Sequence, residues 1–161
     1  MEMNSVRVLQ GCPGFTLVEL MVTVVVAAIL AVVAVPSFTS FTLNQRVKAT
    51  SFELVSVLTY VRSEAIKRND EITLTANDGD WLQGWTVLAG DSELWSGGPR
   101  GRISITTSDE TEVTFRPDGR ADRGMQFIVC DQNGSSAVIQ RIIRLDTSGR
   151  PSITRGVSCD N

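Results

Sequence analysis

The sequence predicts an α+β fold, with one long N-terminal helix packed on an antiparallel β domain and the first half of that helix able to span a membrane. Three observations carry the prediction. From Phe15 to Val35 the only charged residue is Glu19; from Val47 to Ala65 apolar and small residues recur at helical spacing; and from Glu71 onward the period turns from helical to alternating, with turn residues between short runs. A chain of 161 residues is long enough for one such domain with a modest core beside the helix.

The helix comes first. About 21 residues from Phe15 to Val35 rise roughly 31 Å as an α-helix, close to the ~30 Å hydrocarbon core of a bilayer. A strand is a poor alternative, because one apolar segment in lipid must satisfy its backbone bonds internally. Glu19 stands one turn into the run. An acid there costs a few kcal/mol in a membrane, so it calls for a partner or a function. The bland reading is an ordinary anchor helix with a stray Glu.

Gly14-Phe15 followed by Thr16 and Glu19 resembles the processing site of type IV prepilins and type II secretion pseudopilins. The resemblance implies a cut between Gly14 and Phe15 by a prepilin peptidase on the cytoplasmic side, followed by N-methylation of Phe15. It implies that Glu19 pairs with an N-terminal amine during filament assembly, and that residues 1–14 are a leader. Those residues could also be read as the n-region of a secretory signal. Against that, the apolar run is long for an h-region and the matching glycine precedes it. With Arg7 the leader's single basic residue, orientation rests on the motif rather than on charge.

Pro36 closes the apolar run and is expected to kink the helix. Beyond it Val47, Ser51, Leu54, Leu58, Val61 and Ala65 form one apolar face, so a single helix is expected from about Phe15 to Arg68. Arg62-Ser63-Glu64-Ala65 near its end is similar to the GspH/FimT group of minor pilins and pseudopilins. Lys67 and Arg68 are equally read as a solvated helix end facing the C-terminal dipole.

The strands follow in order. Ile72, Leu74 and Ala76 alternate before the turn Asn77-Asp78-Gly79-Asp80. Trp81-Leu82-Gln83-Gly84-Trp85 then leads into a second strand through Leu88 and again resembles the GspH/FimT group. Its tryptophans are read as core and edge packing, with a stacking platform as the alternative. Leu94 and Trp95 suggest a short strand. The loop Gly97-Gly98-Pro99-Arg100-Gly101-Arg102 lacks P-loop and dinucleotide-binding spacing, so a flexible connection is the better reading. Ile103–Thr107 and Glu112–Arg116 are further strands, with Pro117-Asp118-Gly119 as a turn. Phe115 to Gly119-Arg120 matches the Phe-x-x-x-Gly-Arg element of the same group. Met125–Asp131 and Ser136–Leu145 flank Asn133-Gly134, a hairpin signal. Thr147-Ser148-Gly149 turns into a last extended piece ending at Cys159. The resemblance thus covers almost the whole chain and implies a pilin-like fold.

Of three cysteines, Cys12 falls in the leader, which leaves Cys130 and Cys159. In an exported domain this pair is most simply a disulfide. Closing about 28 intervening residues should stabilise the fold by roughly 3–4 kcal/mol. A metal site is the weaker alternative, since two thiols without His or a CxxC spacing make a poor one. The absence of histidine excludes Ser-His-Asp and Cys-His catalysis. Acid pairs such as Asp109 and Glu110 solvate a loop. No enzyme, cofactor or metal is expected.

The formal net charge of -3 argues against wholesale coating of nucleic acid. Residues 141–161 nevertheless hold four Arg against Asp146 and Asp160, a local balance of +2. Some family members that take up DNA carry a C-terminal Gly-Arg-x-Arg element. Here Gly149-Arg150-Pro151-Ser152 lacks the second arginine, and Arg155, Arg141 and Arg144 stand nearby. Duplex DNA gripped through phosphates by Arg150, Arg155, Arg144 and Arg141 is therefore an alternative, with solubility and salt bridging as the bland reading. Alternation puts Arg141 and Arg144 on opposite faces.

Three segments are expected: a leader over 1–14, the helix over 15–68 with 15–35 transmembrane or in a filament core, and a β-rich periplasmic domain over 69–161. The resemblance implies a subunit of the bacterial inner membrane, incorporated into a pilus or pseudopilus. Its partners would be major and minor pilins or pseudopilins, the prepilin peptidase, the inner-membrane assembly platform and membrane lipid. A short tail with a terminal disulfide looks more like a pilus-system minor pilin than a secretion pseudopilin.

Overall fold

A computed structural model describes residues 15–99, 101–108 and 110–159. Residues 1–14, with Cys12 and the expected cleavage glycine Gly14, and residues Arg100, Asp109, Asp160 and Asn161 lie outside the described residues. The chain forms two compact units that divide between Phe38 and Thr39. The helix α1, Leu17–Arg68, runs through that division and is helical on both sides of Pro36, with no interruption there.

In the first unit α1 carries the apolar run. Its large side chains, from Leu17 through Leu30 and Val32, are exposed. It is the one described helix long and apolar enough to cross a membrane. Helical structure begins at Leu17 rather than Phe15, because Thr16 acts as the cap.

In the second unit the later part of α1 packs on two four-stranded antiparallel sheets. The strands are β1 (Ile72–Ala76), β2 (Trp85–Ala89), β3 (Ser92–Gly97), β4 (Ile103–Thr107), β5 (Glu112–Phe115), β6 (Met125–Asp131), β7 (Ile139–Leu145) and β8 (Pro151–Ser158). One sheet has the order β3-β2-β1-β5 and the other β4-β6-β7-β8. β4 therefore leaves the first sheet for the second, and β5 returns.

The expected helix face is the buried one. Val47, Ser51, Leu54, Leu58, Val61 and Ala65 all have no exposed surface. Ser51 is tolerated because its hydroxyl donates to the Val47 carbonyl at 2.6 Å. Facing residues come from alternate strand positions: Ile72, Leu74, Val87, Val113, Phe115, Phe127, Val129 and Ile143. Each large side chain so buried is worth about 1.5–3 kcal/mol. Trp81 and Trp85 belong to this core; Trp81 meets Phe127 edge-on at 4.9 Å and donates its indole N–H to the Glu110 carbonyl.

Local departures from expectation have local causes. β3 extends through Gly97, pairing with Trp85, so the glycine-rich loop starts later. Gly84, at φ +105°, lies so close to the Gly97 carbonyl that a side chain there would collide with it. Ser136, Ala137 and Val138 are not strand, and Asn133-Gly134 is not a two-residue hairpin. The Asp131 carboxylate instead accepts the backbone N–H groups of Asn133 and Ser135, and Val138 is fully buried. These contacts hold the connection between β6 and β7 as a wider loop.

Candidate functional site

At the start of α1 the Glu19 backbone N–H donates to the Thr16 hydroxyl at 3.2 Å, and the Leu20 N–H to the Thr16 carbonyl at 3.2 Å. Thr16 is therefore the N-cap and Glu19 the third helical residue, the T-x-x-E spacing of a capping box. Phe15 and Leu20 occupy the flanking positions where a hydrophobic staple forms. Glu19 is exposed, one turn inside a helix whose N-terminal dipole favours negative charge. An ammonium on Phe15 would lie a single residue before the cap. Thr16 thus sets the helix start, and Glu19 displays a carboxylate one turn inside it. The capping role of Thr16 was legible in the spacing and was missed.

At the opposite end of the chain a disulfide joins Cys130 on β6 to Cys159 just after β8, with Cα atoms 5.8 Å apart. Since β7 lies between those strands, the bond bridges across its end. The Cys159 N–H donates to the Val138 carbonyl at 2.9 Å, which draws the loop before β7 into the same knot.

The four C-terminal arginines fall into two separate pairs. Arg141 is directly opposite Arg155 in the β7–β8 register, on the face that also carries Ile143. With Phe41, Asn44 and Lys48 of α1 they line one hollow. Arg144 and Arg150 line a different one, with Gln126, Asp146 and Ser152. Arg144 donates to the Gln126 side chain at 3.0 Å. The Arg150 N–H donates to the Asp146 carboxylate at 3.1 Å; bonds from the Ser148 hydroxyl and from that N–H hold this acid below the usual carboxylate range. Gly149, at φ +74°, is pressed against the Gly119 carbonyl. The Gly-Arg element is thus a closed turn docked on the Phe115–Gly119 turn, and it does not bring Arg150 to Arg155. Lys48 was the member of the Arg141–Arg155 hollow that sequence reasoning missed; strand register, invisible in the sequence, is what assembles it.

The helix end is ion-paired. Glu64, with its side chain 9 % exposed, accepts from Arg68 at 2.7 Å and Lys67 at 3.2 Å. Those bonds, Arg68 foremost, hold it below the usual range. Arg123 is held above its ordinary value by Asp122 and Glu110. Among the described residues no group of His, Cys, Asp and Glu has the arrangement of a metal site.

Two protein-family models match the chain. The model of the type II transport protein GspH matches residues 51–149, and that of the prokaryotic N-terminal methylation motif matches residues 10–35. Two crystal forms of the type IV minor pilin FimU of Pseudomonas aeruginosa share the fold. One superposes with TM-score 0.62 at 22% identity, covering 74% of this chain and 98% of that one. The other has TM-score 0.59 at 24% identity, covering 70% and 98%. No curated protein matches the chain.

Proposed function

The chain belongs to the family of the type II transport protein GspH, the GspH/FimT-type minor pilins and pseudopilins, and on that premise we propose that it is a minor type IV pilin that primes or caps pilus assembly. Its work is assembly rather than turnover. The observation that carries the reading is the capped start of α1: a methylation-motif match over residues 10–35, a Thr16 cap, and Glu19 presented on an exposed apolar helix. Prepilin peptidase cuts between Gly14 and Phe15, Phe15 is N-methylated, and residues 15–35 anchor the subunit in the inner membrane with the β domain in the periplasm. On extraction into the filament, Glu19 pairs with the terminal amine of a neighbouring pilin, since a carboxylate in an apolar helix bundle needs a cationic partner. Other pilins and the inner-membrane assembly platform are the partners.

A second reading, a minor pseudopilin of type II secretion, is favoured by the match to the type II transport protein GspH over residues 51–149. Duplex DNA as a ligand is the lesser reading, because its four candidate arginines form two separated pairs and no single track. One genetic experiment tests the first two. Deletion of the gene should reduce pilus number and twitching, restored by wild type and not by Glu19→Ala. Normal piliation with defective export of folded enzymes would transfer the protein to the secretion system. A Glu19→Ala subunit that restores full piliation would reject the pairing role.

A further inference from the structure

Where the β domain first packs on α1, several cations gather although the chain as a whole carries -3. Lys48 lines one hollow with Arg141 and Arg155, which come from β7 and β8. Arg46, two residues before Lys48 and so on the opposite flank of the helix, lies over Gly101, next to Arg102. The loops are held there: Asn44 donates to the Ala137 carbonyl at 2.9 Å and accepts the Ile139 N–H at 3.0 Å, and the Gln132 N–H donates to the Arg102 carbonyl at 3.3 Å. Among the described residues no carboxylate forms an ion pair with any of these five cations. Arg141 and Arg155 even stand directly opposite each other on neighbouring strands. Like charges so placed repel, and an anion between their two guanidinium forks relieves that cost.

We propose that Arg46, Lys48, Arg102, Arg141 and Arg155 form a basic collar around α1 that binds the phosphate groups of anionic phospholipids in the bilayer anchoring the chain. Two features favour a lipid over other phosphate carriers. Asn44 follows Val35 by only nine residues of chain, which reach about 30 Å at full extension. The collar is therefore tethered within reach of the headgroups whenever residues 15–35 are in the membrane, and such a short tether raises the effective concentration of that ligand. Phe41, 58% exposed, lies in the same hollow as Lys48, and an exposed aromatic beside clustered cations is the composition of membrane-interface contacts. Such a contact would hold the domain at the membrane before extraction and would have to be released as the subunit enters a filament.

The inference rests on the membrane-spanning reading of residues 15–35, and the experiment separates the two. The full chain is placed in nanodiscs of phosphatidylcholine alone and of phosphatidylcholine with phosphatidylglycerol, and amide hydrogen exchange is followed. Exchange in residues 101–103 and 132–139 should be slower only with phosphatidylglycerol. The protection should fade at high salt and vanish in the Lys48→Gln/Arg141→Gln/Arg155→Gln variant, whose contact weakens about a hundredfold for three cations lost near an anionic surface. Equal exchange in both discs, or protection that survives in the variant, overturns the proposal. Equal protection by inorganic phosphate with phosphatidylcholine discs makes the collar a free-anion site instead, and variant-sensitive protection by a short DNA duplex with those discs makes it a nucleic-acid site. A chain that enters neither disc overturns the membrane reading together with this one.

Discussion

Gly149 stands at φ +74°, and a Cβ there would collide with the Gly119 carbonyl and crowd the Phe115 ring, so a side chain would meet both backbone strain and a fixed neighbour. Gly149→Ala should therefore cost more than about 1 kcal/mol of stability by urea denaturation. Gly90, also at positive φ (+56°) but with nothing within 4 Å, supplies the control. Gly90→Ala should cost less, and equal losses would show that the close approach contributes nothing. Glu64 carries a pH prediction. Its folded pKa is depressed by Arg68 and Lys67, so its contribution is fully present above the ordinary carboxyl value of 4.5 and is lost as pH falls through the lower, folded value. The stability difference between wild type and Glu64→Gln should be flat near neutrality and shrink as pH is lowered from about 5. A difference that grows on acidification would reverse the sign of this account. Both positions lie in elements the sequence displayed, Gly149-Arg150 and Arg-Ser-Glu-Ala. The close backbone approach of Gly149 depends on Gly119, thirty residues earlier, which no local pattern reports. The Glu64 ion pairs with Lys67 and Arg68 are local, at helical spacings of three and four, and only the burial of Glu64 among them comes from the packed domain.

At the scale of elements, α1 was legible because its core face is periodic and uninterrupted from Val47 to Ala65, and those side chains are the buried ones. The strands were legible wherever burial alternates strictly, as in β6, where Met125, Phe127, Val129 and Asp131 point inward. The connection from β6 to β7 was misread because Asn133-Gly134 is a hairpin signal only when no side chain competes for its backbone. Here Asp131 does compete, at 3.2 Å and 3.0 Å from two N–H groups. The helix face makes a quantitative prediction. Leu54 has no exposed surface whereas Phe52, two residues earlier, is 49% exposed. Leu54→Ala should destabilise by about 2–5 kcal/mol, and Phe52→Ala by about a fifth of that or less. Chemical denaturation of the two variants compares them directly, and comparable losses would mean that α1 presents a different face to the sheets.

At the scale of the whole molecule, strand order is what the sequence withheld, and strand order decides both the basic collar and the meaning of the disulfide. Alternation assigns faces within a strand but says nothing about which strands are neighbours; the crossing of β4 into the second sheet is a long-range choice made by packing. With the order β4-β6-β7-β8 in place, β8 is an edge strand, paired on one side only, and the Cys130–Cys159 bond ties its far end to β6. Edge strands are the first parts of a sheet to open. Closing the loop between the cysteines, 29 apart in sequence, is worth roughly 3–4 kcal/mol through the restricted unfolded chain. That is a large share of the 5–15 kcal/mol typical of a domain. Replacing both cysteines by serine should thus lower the denaturation midpoint substantially. It should also raise amide exchange in Pro151–Ser158 more than in Ile72–Ala76, which is paired on both sides. A uniform rise across both sheets would mean that the domain opens as one unit, with the bond acting on the unfolded chain alone. A larger rise confined to β8 would mean that it also pins an edge that otherwise frays, an edge that bears Arg155 and on which the collar depends.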